Sequence, residues 1–255
     1  METSTSMGRG MAVLDALGRL TALPPHRASV AEIAAELDRD RSQVSRTLSF
    51  LAAEGYALRG PDRGYQLSWD SYAAAQDLTA RRLRTDGLTA IEGLSAATGE
   101  ACFLGELVGD STVTIAESVP PATRLIGSWV GRPYPAYCSD AGQATLWDAA
   151  DAEVREVFAR TVFNSPGPNA ARDVEEFLTR LRQSRARGYS IVDEEAEPGL
   201  FSVAAPVCDF RGETIAAVQV VGTRARLAPR VDELGEACST VAQALSLALG
   251  APDRG

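Results

Sequence analysis

Two helix-start signatures stand close together early in the chain: Ser29-Val30-Ala31-Glu32 and Asp40-Arg41-Ser42-Gln43. In each, a short polar side chain precedes a helical pattern and can accept from amides that lack a partner in the first turn. A Glu or Gln three residues later can answer back, which is the capping-box arrangement. Starts this close leave room for only a short helix between them, through Ile33 to Leu37. The region must therefore fold as small helices joined by tight turns. A stripe of Val13, Leu14, Leu17 and Leu20 predicts an earlier helix from about Gly10 to Leu20, broken by ALPPHR. The third helix opens after Asp40 and ends near Gly55.

At about 100° per residue, Val44, Leu48 and Leu51 share one arc of that third helix and are candidates for its core side. Ser42, Ser45, Arg46 and Ser49 fall on the opposite arc, a short polar face that suits base edges and phosphates or plain solvent. Tyr56–Arg59 and Tyr65–Leu67 then alternate as two strands around the turn Gly60-Pro61-Asp62-Arg63-Gly64. Three helices followed by a hairpin is the order of a winged helix-turn-helix.

Beyond it, Ser68 to Arg84 is alanine-rich and proline-free, and predicts a linker helix. The pattern then becomes α/β. A helix with Ile91 and Leu94 ends at Gly99, and ACFLGELV and STVTIAESV form a hairpin around Gly109-Asp110. Arg124 to Val130 reads as a strand, and helices are predicted over 141–149, 153–160 and 173–187. FSVAAPVCDF and ETIAAVQVVG make a second hairpin, and a last helix runs from about Arg230 to Leu249.

Charge divides along the same line. Residues 1–85 hold 11 Arg against 10 acids, +1, and residues 86–255 hold 14 Arg against 24 acids, −10, which sums to the net −9. Acidity therefore sits in the later part and does not exclude nucleic acid from the first, because screening makes local charge decisive. Lysine is absent, as a GC-rich coding genome would produce. The four cysteines are widely spaced without a CxxC, and His26 is the single histidine, so neither a metal site nor a cofactor is expected. No apolar run reaches the roughly 18 residues of a membrane span, and the first residues lack a signal-peptide core. A cytoplasmic protein with reduced thiols and no membrane partner is expected.

The segments SVAEIAAELDRDRSQVSRTLSFLAAEGYALRG, GRPYPAYCSDAGQATLW (131–147) and RGYSIVDEEAEPGLFSVAAPVCDFRGETIAAVQVVG (187–222) together resemble the isocitrate lyase regulator (IclR) family of bacterial transcription factors. The resemblance implies an α+β chain of two domains. These are a winged helix-turn-helix over 1–67, a linker helix over 68–84, and a GAF-like α/β effector-binding domain with an antiparallel sheet over 85–250. It also implies a homodimer, or a dimer of dimers, on double-stranded operator DNA.

Carried onto this sequence, the resemblance makes Arg46 the strongest DNA contact, with Arg41, Ser42, Gln43, Ser45 and Ser49 beside it and Arg59 and Arg63 on wing phosphates. Asp38 and Asp40 depart from the neutral or basic residues common there, and Asp40 is most simply a helix cap. For the effector, Cys138, Ser139, Asp140, Ala141 and Gly142 lie where chain enters a helix, so their amides would face a bound anion, and family members hold small carboxylates there. Asp140 replaces a usually neutral residue; either it turns outward as a cap or the ligand presents a donor such as an amine or hydroxyl. Asp193, Ser202, Gln219 and Val221 match pocket positions, and Leu125, Ile126, Trp129 and Tyr137 could be pocket wall or core.

The expected function is a transcriptional regulator, more often a repressor, whose operator binding responds to a small organic or aromatic acid. Two other classes compete. Catalysis would need a base near Cys138, yet the single histidine is in the helical region and there is no lysine. A sensor that has lost DNA binding conflicts with the intact caps and Arg46.

Overall fold

The computed structural model describes residues 6–21, 26–121, 123 and 128–252. The chain divides into two compact units, Met1–Leu78 and Thr79–Gly255.

The first unit contains α1 (Ser6–Leu20), α2 (Val30–Glu36), α3 (Arg41–Ala53) and a hairpin of β1 (Ala57–Arg59) and β2 (Tyr65–Leu67). Both start signatures work as caps. Glu32 N donates to Ser29 Oγ at 3.2 Å while Ser29 N donates to Glu32 Oε2 at 2.7 Å. Asp40 Oδ1 accepts from the amides of Ser42 and Gln43 at 2.8 and 3.2 Å. Val13, Leu17, Ile33, Val44, Leu48 and Tyr65 close one core, with Leu51 partly buried against it. Ala28 extends the hairpin: its amide and carbonyl exchange bonds with Tyr65 at 2.9 and 2.8 Å. This is a winged helix-turn-helix.

The next helix, α4, runs unbroken from Trp69 to Thr98. The sequence reading has a linker helix at 68–84 and a separate helix around Ile91; the structure joins them through Gly87. A Cβ on Gly87 would stand 2.5 Å from Leu104 Cδ2, so glycine is kept here for close approach to the sheet.

Within the second unit, β3 (Ala101–Val108), β4 (Ser111–Ser118), β5 (Pro133–Pro135), β6 (Ser190–Asp193), β7 (Leu200–Cys208) and β8 (Thr214–Thr223) form one antiparallel sheet in the order β5-β4-β3-β8-β7-β6. The other elements are the short α5 (Gly142–Thr145), α6 (Asp151–Val157), α7 (Val174–Arg187), α8 (Arg224–Leu227) and the long α9 (Val231–Ala248). Strand periodicity sorts the faces. Leu104, Val203, Val218 and Val220 face one way, into a core shared with Ile91 and Leu94 of α4 and Leu234 and Leu245 of α9. Phe103, Gly105, Ser202, Gln219 and Val221 occupy the alternate positions and point to the opposite face.

The helix predicted over 141–149 shrinks to the one turn of α5, because Asp151 and Glu153 start a new helix at Ala150, whose amide donates to Glu153 Oε2 at 2.6 Å. The strand predicted from Arg124 to Val130 lies outside the described residues at 124–127, and Val130 bridges Thr114. Strands β5 and β6 go beyond the sequence reading. Prolines flank β5 and cannot donate to a ladder, which suits an edge strand and hides it from a pattern search.

Candidate functional site

In the first unit, Asp40 is the residue that organises α3. Its carboxylate is held below the usual range by the hydroxyl of Ser42 and by the amides of Gln43 and Ser42. The charge is thereby engaged by the helix start rather than presented outward. Arg41, Ser42, Gln43, Arg46 and Ser49 are exposed, and Ser45 is half-buried. Arg46 Nε donates back to the Ser42 carbonyl at 3.3 Å, which holds the guanidinium along the polar face. On the wing, Arg59 Cζ lies 5.7 Å over the Tyr65 ring. Arg63 sits at the hairpin tip with φ 63°, its amide donating to the Gly60 carbonyl at 3.0 Å.

In the second unit, a cavity of about 190 Å³ opens on the sheet face opposite α4 and α9. Phe103, Gly105, Gln219 and Val221 form its floor, Thr112 and Thr114 of β4 one side, and Trp129, Arg132 and Tyr134 a rim. Ser139 and Asp140 come in from one loop, Ala196 and Glu197 from another. Such a volume suits a small molecule, below the roughly 300–1,000 Å³ of drug-sized sites. The rim is tied down. Trp129 N donates to Glu117 Oε2 at 2.8 Å, Tyr134 Oη donates to the Ala196 carbonyl at 3.2 Å, and Thr112 Oγ1 donates to Ser139 Oγ at 2.8 Å.

Asp140 forms part of this wall, with its Oδ1 buried and without a hydrogen bond among the described residues. The outward-facing cap anticipated as one possibility for Asp140 does not form. Burial pushes its carboxyl up to about 6; Ser202 opposes the shift and the Glu197 charge adds to it. Ser202 Oγ is also buried without a hydrogen bond, so it lies close enough to act on Asp140 but not in bonding geometry. Gln219 is buried, and its amide has no partner among the described residues, while a Cβ on Gly105 would stand 2.7 Å from its Nε2.

Five of the anticipated effector residues therefore line the cavity: Trp129, Ser139, Asp140, Gln219 and Val221, with Ser202 adjoining Asp140. Others stand elsewhere. Tyr137 is core: its ring lies 4.4 Å from that of Phe163 and its hydroxyl accepts from Asn164 N at 2.8 Å. Cys138 is buried, and burial raises its thiol to about 11, which suits packing and not nucleophilic attack. Ala141 packs among Ala144, Ala204 and Ala217. The amides of Cys138 and Gly142 donate to Pro135 and Ser139 carbonyls at 3.2 Å each, so those two are engaged by the turn instead of facing an anion. Asp193 pairs with Arg224 at 2.7 and 3.2 Å, away from this cavity. Leu125 and Ile126 lie outside the described residues.

The acids after Asp193 diverge in the same way. Glu194 Oε1 accepts from Gly199 N at 2.7 Å, while Glu195 is buried 2.9 Å from Arg180 Nη1. Burial raises the Glu195 carboxyl to about 7. Among the described residues no cluster of His, Cys, Asp and Glu could hold a metal, and no helix is long and apolar enough to cross a membrane. Phe103, Gly105, Thr112, Arg132, Tyr134 and Glu197 escaped the sequence reading. The period-two alternation that places Gln219 would have placed Phe103 and Gly105 with it.

Comparison with known proteins agrees with both halves. Residues 6–61 match the IclR helix-turn-helix domain and residues 75–247 match the bacterial transcriptional regulator IclR C-terminal domain. The Pca regulon regulatory protein of Pseudomonas putida is 31% identical over 219 residues, covering 85% of this chain and 73% of that protein. The transcriptional repressor AllR of Klebsiella pneumoniae is 26% identical over 251 residues, 96% of this chain and 90% of that one. Among solved structures, the IclR of Thermotoga maritima superposes with a TM-score of 0.63 at 22% identity, covering 96% of this chain and 98% of that one, a likeness of fold. With both domains matched in order along most of its length, the chain belongs to the IclR family and is a DNA-binding transcriptional regulator, not an enzyme.

Proposed function

We propose that the protein is a repressor that lays α3 in the major groove of an operator and changes its DNA affinity when a small metabolite fills the cavity of the second unit. The face of α3 carries this reading. Asp40 is engaged by the first-turn amides, which leaves Arg41, Gln43, Arg46 and Ser49 exposed on one polar surface next to a wing bearing Arg59 and Arg63. Arg and Gln are the side chains that read guanine and adenine edges bidentately, and wing arginines suit phosphates. A homodimer, or a dimer of dimers, would double the contact and match a near-palindromic site in the cytoplasm. Repression is favoured by relatives that are themselves named repressors.

The cavity supports the regulatory half, since it is small, partly enclosed, largely apolar on its floor and walled by Asp140, whose Oδ1 is buried without a hydrogen bond among the described residues. A ligand changes operator affinity only as far as it binds two arrangements of the protein differently. Footprinting on the DNA upstream of the protein's own gene, with and without a metabolite extract, tests this. Protection of a two-part site that the extract relieves supports the reading, and protection insensitive to every extract would sink the regulatory half.

A further inference from the structure

The cavity wall carries an unmet hydrogen-bonding requirement at Asp140, with a second at Ser202 directly behind it. Asp140 Oδ1 and Ser202 Oγ are both buried with no partner among the described residues. An ionised carboxylate only accepts, and a hydroxyl can accept as well as donate, so the pair calls for a donor. Charge points the same way. Asp140 and Glu197 are two acids in the wall against one guanidinium, Arg132, which is exposed and stacked with its Cζ 5.7 Å from the Trp129 ring centre. A simple carboxylate entering here would face Asp140 at close range, and like charges repel most where water is excluded.

We infer that the cavity selects a small primary amine, its ammonium seated on Asp140 and Ser202 and its hydrocarbon part against Phe103, Val221 and Trp129. The inference rests on reading this cavity as the effector site, and it departs from the small carboxylates that the family resemblance implies. Gln219 would bind a second polar group of the ligand, because its amide is likewise without a partner among the described residues. Groups that act on Asp140 or are acted on by it come from every side. They are Glu195 and Glu197 on the turn before β7, Cys138 beside it, Tyr134 on β5 and Ser202 on β7, while Arg132 stands on the rim of the same cavity. Burial and Glu197 favour a protonated Asp140, which cannot pair with an ammonium, so amine binding strengthens as pH rises through about 6.

Three probes of one shape test this by calorimetric titration of the full-length protein at pH 8: benzylammonium chloride, benzyl alcohol and sodium benzoate. Benzylammonium should bind at least about tenfold more tightly than benzoate, as a charge-assisted bond requires. Asp140→Asn should remove about that factor from benzylammonium and leave benzyl alcohol unchanged, and at pH 5 the wild type should lose most of its preference for the amine. Benzoate binding as tightly as benzylammonium to the wild type would overturn the amine assignment while leaving an effector cavity in place. No binding of any probe, with Val221→Trp behaving like the wild type, would overturn the cavity reading itself.

Discussion

Gly105 and Gln219 are diagonal neighbours on one face of the β3–β8 ladder, and the place where a Cβ on Gly105 would stand is 2.7 Å from the Gln219 amide nitrogen. The glycine makes the space in which the amide lies against the cavity floor. Gly105→Ala should push the Gln219 side chain into the cavity, since the displaced atom is the end of a flexible chain. A double-mutant cycle with Gln219→Ala should give a coupling of about 0.5–3 kcal/mol in unfolding free energy, and additivity within about 0.5 kcal/mol would contradict the contact.

Gly142 stands under a harder constraint. A Cβ there would fall 1.6 Å from the Ala136 carbonyl oxygen, which is backbone and cannot swing aside. Gly142→Ala should cost upwards of about 3 kcal/mol and show as loss of cooperative melting in the second unit. A variant that melts like the wild type would mean that this turn is looser than described.

Asp140 sets a pH-dependent stability. Its carboxyl rises from 3.8 to about 6 on folding, so its relative contribution is fully present below pH 3.8 and is lost as pH rises through about 6. Asp140→Asn lacks that loss. Thermal melts should show the variant gaining on the wild type between pH 5 and pH 8, by about 1.4 kcal/mol, and equal melting at both pH values would place the carboxyl in water.

Asp40 works with the opposite sign. Its lowered carboxyl stabilises α3 above the ordinary value of 3.8, and the effect fades as pH falls through the lowered one. Asp40→Asn should fold and melt nearly as the wild type does, because Asn caps as well, whereas Asp40→Ala should melt earlier and bind DNA more weakly. Far-ultraviolet circular dichroism melts separate these outcomes; equal melting of the two variants would remove the capping role.

The first unit was the more legible because its signals are local. Ser29 and Glu32, and Asp40 with Ser42 and Gln43, meet within a single turn, so spacing alone specifies their bonds. The cavity depends on partners far apart in sequence, such as Phe103 opposite Gln219 and Tyr134 bonded to Ala196, and no local pattern announces them. Motif position put Tyr137, Cys138 and Gly142 near the ligand, but tight packing against Phe163, Pro135 and Ala136 gives them structural work. Asp193 had a competitor for its charge, Arg224, thirty-one residues away and equally invisible to a motif.

If the polar face of α3 reads DNA, binding to the protein's own upstream region must depend on salt. Wild type and Arg46→Ala should be titrated by gel shift between about 50 and 200 mM salt, where each phosphate contact adds close to one to the slope of log affinity against log salt. The wild type should show a steep slope and Arg46→Ala an affinity lower by about tenfold or more, while its melting stays unchanged. Equal, salt-independent binding by the two proteins would contradict DNA reading by α3.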